Sequence, residues 1–531
     1  MQDPARITEE QNTVQRARLL NIAYEDTSAR EVSLYPDTLG VQEMYTLRVV
    51  PLFVDEHNIR FGITNTTSQA TMSQLQSRFL DQRIVFALIS DAGYKDIMKR
   101  YDPPKQIVYQ DISLTTNQVD QLSNVSKTLS EVRADDMLAY LVQQAYALKA
   151  SDIHLETDEN SVRIRFRVDG VLHPIAELTP DKYRQLVSSL AVAANISTSS
   201  PEAQTGHINK RFNMADGSEV AVNMRVETVP TVHAMDAVLR LFNLKPEMMQ
   251  LDSLGLNQEE AEIIRDIISH PSGLVLLVGP TGSGKTTTLY SILNELNHPE
   301  RKIITLEDPV EYQIKGITQI PVDSRTETGG FAEKFKAVLR LDPDVIMVGE
   351  IRDQDTAKTA LQSSLTGHLV LSTYHASSAA AALTRLLDSI GDNPLFSSAI
   401  RLVAAQRLIR KLDNDTKQPY TPDDATRRWL QTVIDSLPPH LERPSLDDVQ
   451  LYRPGSSAEN PFGYKGQIAV RELLLMTNNV QLELKKHASE ITTASIEHLA
   501  VQDGMITMLQ DAVLQALAGE TSVEEVARVV A

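Results

Sequence analysis

The sequence has no cysteine and one tryptophan in 531 residues. Without thiols the chain can form neither disulfides nor iron–sulfur clusters, and every zinc site that depends on thiolate ligands is excluded. No stretch approaches the roughly 18 consecutive apolar residues of a membrane-spanning helix. The first residues, MQDPARITEEQNTVQ, also lack the apolar core of a signal peptide. These absences predict a protein that is made and kept in the cytoplasm.

Basic residues are outnumbered as well. Lys plus Arg total 51 against 70 for Asp plus Glu, which gives a formal net charge of −19. A surface this acidic repels phosphate backbones unless its basic residues are gathered in one place, so nucleic acid is disfavoured as a partner. The rest of the composition, with 42% hydrophobic and 23% charged residues, is that of a packed globular protein. At roughly 100–200 residues per domain, the length predicts about three or four domains.

Changes in composition along the chain predict an α/β protein with three domains. Short β-rich runs alternate with helical stretches between Tyr45 and Tyr101, which predicts a small N-terminal regulatory or docking domain over residues 1–110. A stretch rich in Ser, Thr, Asn and Gln predicts a linker over 111–130. Beyond it we expect a second domain over 131–245 and a third domain over 246–531.

One short motif predicts a nucleotide site. Residues 279–286 read GPTGSGKT, which fits the phosphate-loop pattern G-x-x-x-x-G-K-[ST], and they lie between the apolar run LVLLV and the helical run TTLYSILNEL. Such glycines let backbone N–H groups and the helix N-terminus face an anion, while Lys285 reaches the outer phosphates and the Thr286 hydroxyl can hold Mg²⁺. The alternative, a chance glycine-rich loop, does not account for both flanks. The residues predicted to bind ATP are Gly279, Pro280, Thr281, Gly282, Ser283, Gly284, Lys285, Thr286 and Thr287.

Two further β-rich runs end in acidic residues. The segment RKIITLEDPVEY carries Glu307, Asp308 and Glu311, and PDVIMVGEIRD carries Glu350. Open α/β sheets place their sites at the carboxyl ends of parallel strands. Glu350 follows VIMVG, so we expect it to be partly desolvated near the γ-phosphate, where it can orient the attacking water. Asp353 taken alone is better explained as a helix cap or a surface charge.

The segment TGHLVLSTYHASS places two histidines, His368 and His375, at the two ends of an apolar strand. Both are expected on the side of the predicted site. A shared metal ion is disfavoured, because histidines seven residues apart on a strand cannot ligate one ion and no thiolate is available. A lone histidine is usually a structural residue. Beside the neighbouring motifs, however, His368 is predicted to sense the γ-phosphate.

Arginines alternate with apolar residues in the second predicted domain. In VRIRFRVDG, one strand face carries Arg163, Arg165 and Arg167, and the other face carries the apolar residues. The runs EVAVNMRVET and VLRLF put Arg225 and Arg240 in the same relation to their apolar neighbours. This pattern predicts one core face and one basic row. For Arg163 and Arg165, ordinary solvated charges are an equal alternative.

Taken together, these segments resemble the secretion and type IV pilus assembly ATPases, a family of additional-strand RecA-like motors. GPTGSGKT matches the family's Walker A loop, ITLEDPVEY its aspartate box, LRLDPDVIMVGEIRD its Walker B segment and TGHLVLSTYHAS its histidine box. Further matches in ASDIHLE, GYKGQIAVRELLLM and DGMITMLQDAVLQALAGETSVEEVARV extend the resemblance over about residues 45–531. It implies a multidomain α/β fold with a small N-terminal α/β domain, a PAS-like second domain, and a RecA-like P-loop ATPase domain with a helical C-terminal subdomain.

The resemblance also implies a function. It implies ATP hydrolysis with Mg²⁺, held by Thr286 and Glu307, in a homo-oligomeric ring that we expect to be a hexamer. Arginines matching Arg225 and Arg240 act in the family as fingers toward the γ-phosphate. The implied task is extension of type IV pili or of type II secretion pseudopili through an inner-membrane platform protein, with the chain cytoplasmic and peripheral to the membrane through its partners. The implied catalytic residues are Glu350, Glu307, His368, Arg225 and Arg240.

Two of the departures of this sequence from the family bear on the arginine finger and on the zinc site. AQTGH stands where the family has PQDGR, so His207 replaces an arginine, and Lys210 or Arg211 is the nearest substitute. Extension and secretion ATPases usually carry four cysteines that hold zinc after a segment like AAQRLIRKL, whereas this chain has none from Asp413 onward. We therefore expect no zinc, and a subdomain held by packing around Trp429.

Three alternatives stay open. A retraction motor is favoured by the missing zinc cysteines but disfavoured by the first domain, which retraction motors generally lack. A RecA-like nucleic-acid motor would share the ATPase core, and the net charge and the lack of an aromatic and basic stripe count against it. A regulator that binds a cyclic dinucleotide would need an Arg-Leu-Gly pattern near the N-terminus, which we do not find there.

Overall fold

The computed structural model describes residues 4–27, 33–101, 112, 118–213, 219–242, 249–322, 330–391, 396–457, 460–487 and 490–531. By its internal contacts the chain divides into two compact units, residues 1–108 and 109–531. In these described ranges, no helix has both the length and the apolar character that crossing a bilayer requires.

The first unit is a small α/β layer. Its elements are α1 (Pro4–Leu20), β1 (Ala23–Tyr24), α2 (Val41–Leu47), β2 (Val49–Val54), β3 (Asn58–Ile63), α3 (Gln69–Arg78), β4 (Arg83–Leu88) and α4 (Asp91–Tyr101). The strands lie in the order β1-β4-β3-β2, with β2 antiparallel to β3 and the other pairs parallel. The β-rich runs of the sequence predict β2, β3 and β4. Helix α1 has too few apolar residues in register for the sequence to predict it.

The second unit begins with two helices and an antiparallel sheet. These elements are α5 (Gln118–Glu131), α6 (Ala134–Ala147), β5 (Asp152–Thr157), β6 (Val162–Val168), β7 (Val171–Leu178), α7 (Pro180–Ala194), β8 (Gln204–Asn213), β9 (Glu219–Pro230) and β10 (Met235–Phe242). The six strands lie in the order β7-β6-β5-β10-β9-β8, and every neighbouring pair is antiparallel. Ile164 and Phe166 are buried on one face, as the alternation in the sequence predicts.

Helix α5 occupies most of the described part of residues 111–130, the predicted linker. Leu129 and Val125 of α5 are buried, and Ser126 accepts a hydrogen bond of 2.8 Å from the backbone N–H of Glu177 on β7. The polar composition obscures an apolar stripe at three- and four-residue spacing, which is enough to pack one helix face. The boundaries of the predicted domains stay predictions.

The rest of the second unit contains a mostly parallel sheet with helices on both faces. Its elements are α8 (Gln258–Ser269), β11 (Gly273–Val278), α9 (Lys285–Leu296), β12 (Ile303–Glu307), β13 (Thr318–Pro321), α10 (Phe331–Val338), β14 (Val345–Val348), α11 (Gln354–Leu365), β15 (Leu369–Tyr374), α12 (Ala379–Ile390), α13 (Phe396–Ala399), β16 (Ile400–Leu412), β17 (Gln418–Tyr420), α14 (Asp424–Asp435), β18 (Leu451–Arg453), β19 (Tyr464–Leu475), α15 (Asn478–Glu483), α16 (Thr493–Gln502), α17 (Met508–Leu517) and α18 (Val523–Val529). The strand order is β13-β12-β14-β15-β11-β16-β19, with β19 antiparallel to β16 and the other pairs parallel.

Strand β11 shows how this sheet is covered on both faces. All six of its residues are buried, which is why the run reads as uniformly apolar. Leu276 belongs to a core shared with α10, α11 and α12, whereas Leu277 belongs to a second core shared with α8 and α9. The phosphate loop therefore begins directly after a central strand that is packed on both faces.

Residues 413–463, where zinc cysteines are absent, are held together by packing and by one polar hub. Leu430 and Ile434 of α14 are fully or nearly fully buried in a local core, and Trp429 packs at its margin. Asp413, itself buried, accepts a hydrogen bond of 2.7 Å from the side chain of Asn460. Asn460 in turn accepts one of 3.1 Å from the backbone N–H of Gly463. The prediction of packing alone is right only in part, because Asp413 and Asn460 add hydrogen bonds, and the fully buried residue of α14 is Leu430 rather than Trp429.

Candidate active site

The loop between β11 and α9 has the shape of an anion cradle. Gly279, Gly282 and Gly284 have φ values of +146°, +81° and +85°, which residues with a side chain rarely adopt. A Cβ atom on Gly279 would lie 2.5 Å from the carbonyl oxygen of Gln406, so this position also excludes a side chain by space. Gly284 is the residue before the first turn of α9, and the N-terminus of that helix opens into the loop.

Gln406 on β16 braces this loop, and sequence reasoning missed it. Its side chain donates a hydrogen bond of 2.6 Å to the carbonyl oxygen of Ser283 and accepts one of 3.0 Å from Thr288 of α9. Because Gln406 is buried, both polar ends need these partners. The signal in the sequence was one amide within the apolar run LVAAQRLI.

Lys285 lies inside the cradle. Its ammonium donates hydrogen bonds of 2.8 Å to the carbonyl oxygens of both Gly279 and Pro280. Burial lowers the pKa of Lys285, and the nearby carboxylate of Glu350 partly offsets that effect. A desolvated cation among loop carbonyls gains strongly from a phosphate oxygen, because the phosphate supplies the opposite charge that burial demands.

Glu350, just past the end of β14, faces this lysine across the site. Its carboxylate pairs with Arg352, and its second oxygen lies 3.5 Å from Nε2 of His375. Arg352 also lies 3.8 Å from Asp308, and its hydrogen bond to Glu350 raises the pKa of the guanidinium. The two acid-bearing strand ends are thus linked by one arginine, which fixes where the Glu350 carboxylate lies.

Asp353 and Glu307 have different surroundings from Glu350. Asp353 caps α11 by accepting a hydrogen bond of 2.7 Å from the backbone N–H of Thr356, so its interpretation as a helix cap is confirmed. Glu307 is only 3% exposed. Its oxygens accept hydrogen bonds from three side chains, those of Tyr290, Thr305 and Gln319.

Glu311 is a further carboxylate at this edge of the sheet. Burial, reinforced by the neighbouring Glu307 carboxylate, raises the pKa of Glu311 to about 7, although the positive charges of Arg240 and Arg225 act in the opposite direction. The two arginines belong to the antiparallel sheet. Glu311 and Arg240 line the same cleft, so the two sheets of the second unit face each other at this point.

The two histidines lie at opposite edges of the parallel sheet, which corrects the expectation that both lie at the site. His375 follows the carboxyl end of β15, beside Glu350. His368 precedes the amino end of β15, where its carbonyl oxygen accepts the backbone N–H of Gly273 and its Nδ1 lies 3.1 Å from the carbonyl oxygen of Ser363. Six strand residues separate the two edges by roughly 20 Å. The structure therefore brings His375, not His368, to the phosphate loop.

A cleft of about 790 Å³ separates the two sheets, a volume within the range of roughly 300–1,000 Å³ typical of small-ligand sites. From the parallel sheet it is lined by groups that include Lys285, Thr286, Glu307, Glu311, Glu350 and His375. From the antiparallel sheet it is lined by groups that include Asp152, Arg167, Gly170 and Arg240. Carboxylates, a loop lysine and opposing arginines are the groups that phosphoryl transfer uses.

The predicted arginines divide between the cleft and the surface. Arg240 pairs with Asp152, and Arg225 pairs with Glu227 beside it on the same sheet. Arg165 pairs with Glu156 instead, and Arg163 is exposed. The alternation along β6 thus predicts the face correctly, and only Arg167 of its three arginines lines the cleft.

The profile of the family described as "Type II/IV secretion system protein" matches residues 130–528. The chain belongs to this family. It is therefore an ATP-hydrolysing enzyme, as the phosphate loop and its flanks predict. The match spans both sheets of the second unit, which confirms the resemblance on which the sequence analysis rested.

Several characterised relatives share a large part of the chain. The type II secretion system protein E of Xanthomonas campestris pv. campestris is 39% identical over 78% of this chain and 70% of its own length. The type II secretion system ATPase E of Vibrio cholerae is 41% identical over 72% of each chain. The type IV pilus assembly ATPase PilB of Thermus thermophilus is 33% identical over 85% of this chain and 49% of its own length.

The fold also matches a solved structure. The ATPase DotB of Legionella pneumophila superposes with a TM-score of 0.55 and 24% identity, over 74% of this chain and 95% of DotB. The DotB of Yersinia pseudotuberculosis gives a TM-score of 0.53 at 20% identity. The predicted fold class, a multidomain α/β protein with a RecA-like ATPase, is confirmed.

Proposed function

We propose that this chain is a ring-forming ATPase, with six copies in the ring, that drives the extension of type IV pili or type II secretion pseudopili. The observation that carries the proposal is the cleft whose walls come from two different sheets, with the phosphate loop on one wall and Arg240 on the other. A nucleotide bound there links the two walls through its phosphates. Loss of the γ-phosphate removes charge between them, so hydrolysis is coupled to movement of one sheet against the other.

Each residue of the site has a proposed task. Lys285 and the loop N–H groups hold the β- and γ-phosphates, and Glu350 orients the attacking water. Arg240 and Arg225 neutralise the charge that develops on the γ-phosphate. His375, rather than His368, has the position of a γ-phosphate sensor because it lies 3.5 Å from Glu350.

The residues present fit Mg²⁺, which takes oxygen ligands and keeps several waters. Thr286 lines the cleft with a hydroxyl and would hold the ion together with the nucleotide phosphates. Three hydrogen bonds occupy the oxygens of Glu307, which leaves about one of four lone-pair positions for the ion or its water. Within the described residues no cluster of three or more histidines and carboxylates could hold a metal without such help. When bound, Mg²⁺ would supply positive charge that neutralises the phosphates of the nucleotide.

The proposed partner is a platform protein in the inner membrane, and the proposed location is the cytoplasmic face of that membrane. The proposal follows the relatives, which are named for type II secretion and for type IV pilus assembly. A nucleic-acid motor is the second candidate because RecA-like cores also move DNA. It has weaker support, since the net charge of −19 opposes a phosphate backbone.

A gene replacement tests the proposal and separates its alternatives. The gene is deleted in the organism that encodes it, and the cells then express the original chain or Glu350→Gln. A positioned base raises the rate of the chemical step by about 10²-fold or more. Glu350→Gln is therefore expected to bind ATP with unchanged affinity but to hydrolyse it too slowly to restore either pili or secretion. Surface pili and secreted proteins are then counted.

The measured outcomes differ for each function. Loss of pili or of secreted proteins supports extension or secretion, whereas an excess of pili identifies a retraction motor. Native mass spectrometry of the purified chain with ATP is expected to show six copies. Unchanged pili and secretion in the deletion strain, together with DNA binding at low salt, would overturn the proposal in favour of a nucleic-acid motor.

A further inference from the structure

One rung of the antiparallel sheet carries four basic side chains and one carboxylate. The strand register places Arg167 beside Asp152, Asp152 beside Arg240, Arg240 beside Arg225, and Arg225 beside His207. Side chains that share a rung point to the same face of a sheet. Arg167, Asp152 and Arg240 all line the nucleotide cleft. The single acid of this rung therefore lies between two arginines of the cleft wall.

Asp152 contacts both of these arginines. Its side chain is 8% exposed, and its Oδ1 accepts a hydrogen bond of 3.0 Å from Nε of Arg240. Its Oδ2 accepts a hydrogen bond of 2.7 Å from Ser151 and lies 3.5 Å from Nε of Arg167. The Arg240 side chain is 47% exposed. A buried carboxylate thus anchors the inner end of a guanidinium whose outer part faces solvent.

This geometry constrains how Arg240 can act. A guanidinium carries five N–H donors in a fixed plane, and the bond to Asp152 uses the Nε donor. The Nη donors then have a set direction while they stay available to an anion in the cleft. Without the carboxylate, Arg240 would lie between Arg225 and Arg167 with no opposite charge on the rung, and repulsion between like charges would push the three side chains apart.

We propose that Asp152 is a positioning residue for ATP hydrolysis. It holds Arg240 and Arg167 at a fixed spacing on the cleft wall. The Arg240 side chain is then already in the rotamer in which its Nη groups can bind the γ-phosphate oxygens. This inference rests on the proposed role of Arg240 as an arginine finger. Asp152 itself touches no phosphate, and it acts through Arg240.

The test compares steady-state turnover with nucleotide affinity. Asp152→Ala is expected to lower kcat by up to about tenfold, the loss expected for Arg240→Ala itself, because a small misplacement of a catalytic group slows turnover. The Kd of ADP is expected to stay within about threefold, since ADP lacks the phosphate that the finger meets. Asp152→Asn keeps an acceptor and the shape but loses the charge, so it is expected to lie between the original chain and Asp152→Ala. It also serves as the deciding variant if Asp152→Ala does not fold.

A double-mutant cycle tests whether Asp152 acts through Arg240. If it does, the Asp152→Ala, Arg240→Ala double variant turns over no more slowly than Arg240→Ala alone. Glu156→Gln is the matched control: Glu156 is an arginine-paired carboxylate of the same strand, bound to Arg165. It is expected to leave kcat within about twofold of the original chain.

The outcomes separate this inference from the proposed function. If Arg240→Ala slows turnover but Asp152→Ala and Asp152→Asn do not, Asp152 has no positioning role and the finger stands. If Asp152→Ala slows turnover but Arg240→Ala does not, both the finger and this inference are overturned. Equal losses of ADP affinity and kcat, with additive effects in the cycle, would make Asp152 a residue of fold stability instead.

Discussion

The two walls of the nucleotide cleft hold their functional groups by different means. On the parallel sheet, Glu307 is buried and bonded by three side chains, and the loop is braced from below by Gln406. On the antiparallel sheet, Arg240 and Arg225 keep 47% and 33% of their side chains exposed and are held by ion pairs. Buried hydrogen bonds fix groups rigidly, whereas the exposed outer ends of these arginines can bind and release an anion with little loss of free energy.

This difference fits two requirements of repeated ATP hydrolysis. The phosphate loop needs one shape through every turnover, because ATP, ADP and the transition state all present phosphates to it. In the proposed function the arginines distinguish ATP from ADP, which requires that they bind and release a charge. We infer that the parallel sheet supplies the fixed wall of the cleft and that the antiparallel sheet supplies the responsive wall.

The largest effect is expected from the fixed wall. Lys285→Ala removes the ammonium from the loop and leaves the carbonyl oxygens of Gly279 and Pro280 without their donor. Turnover is expected to fall by about 10³-fold or more, because this lysine contacts both outer phosphates. ATP binding by isothermal titration and phosphate release are the measurements.

Lys315→Ala is the matched control, because Lys315 is an exposed lysine in the same domain. It is expected to leave binding and turnover within about twofold. Circular dichroism of Lys285→Ala is expected to match that of the original chain. Undiminished hydrolysis by Lys285→Ala would contradict the assignment of GPTGSGKT as the phosphate site.

A smaller effect is expected from the responsive wall. Arg240→Ala is expected to lower kcat about tenfold, less than the roughly 10³-fold of a lone arginine finger, because Arg225 and Arg167 stay on the same rung. ADP affinity is expected to change little. Arg240→Lys is expected to restore little activity, since a lysine cannot copy a guanidinium held at Nε.

Mixed rings test whether Arg240 serves its own chain. Arg240 and Lys285 line one cleft within a single chain, so we expect no regain of activity when Arg240→Ala subunits are mixed with Lys285→Ala subunits. A regain above the sum of the two preparations would show that the arginine serves a neighbouring subunit. Normal turnover in the Arg225→Ala, Arg240→Ala double variant would show that neither arginine takes part in hydrolysis and that both are ordinary solvated charges on their strands.

Sequence could predict the fixed wall because its chemistry is local. The strand, the three glycines with positive φ and the helix N-terminus are all contained in 14 residues or so, and each has its own residue preference. The strand ends after β12 and β14 followed from apolar runs that end in acids. Gln406 could not be predicted in the same way, because its partners Ser283 and Thr288 lie on elements more than a hundred residues earlier.

The responsive wall was predictable only in part. The alternation of apolar and charged residues along a strand predicts the face on which an arginine lies. Its neighbours on the adjacent strands depend on the strand register, which is set by the turns and by strand pairing. The sequence therefore could not tell that Arg167 lines the cleft while Arg165 pairs with Glu156. The error over His368 has a different origin: the sequence already placed His368 and His375 at the two ends of one strand, and these ends lie at opposite edges of the sheet.

The smallest expected effect lies where the two walls meet, at Glu311. Burial and the Glu307 carboxylate raise the pKa of Glu311 to about 7, so the side chain is mostly protonated below that pH and ionised above it. An ionised Glu311 repels the phosphates of a bound nucleotide, and binding therefore favours the protonated form. By linkage, ADP affinity is expected to fall a few-fold as the pH rises from about 6 to about 8. The same raised pKa means that the contribution of Glu311 to folding stability is fully present below its ordinary pKa and is lost as the pH rises through about 7.

The measurement is the Kd of ADP for the original chain and for Glu311→Gln across this pH range. The two Kd values are compared as a ratio at each pH. ADP itself titrates near neutral pH, and because this titration affects the original chain and Glu311→Gln equally, it cancels in the ratio. For Glu311→Gln, the Kd of ADP is expected to vary with pH only through the titration of ADP itself. Glu333 is an exposed glutamate of α10, and Glu333→Gln is expected to keep the full pH dependence of the original chain. If the ratio does not change with pH, the carboxylate of Glu311 does not face the phosphates of the bound nucleotide.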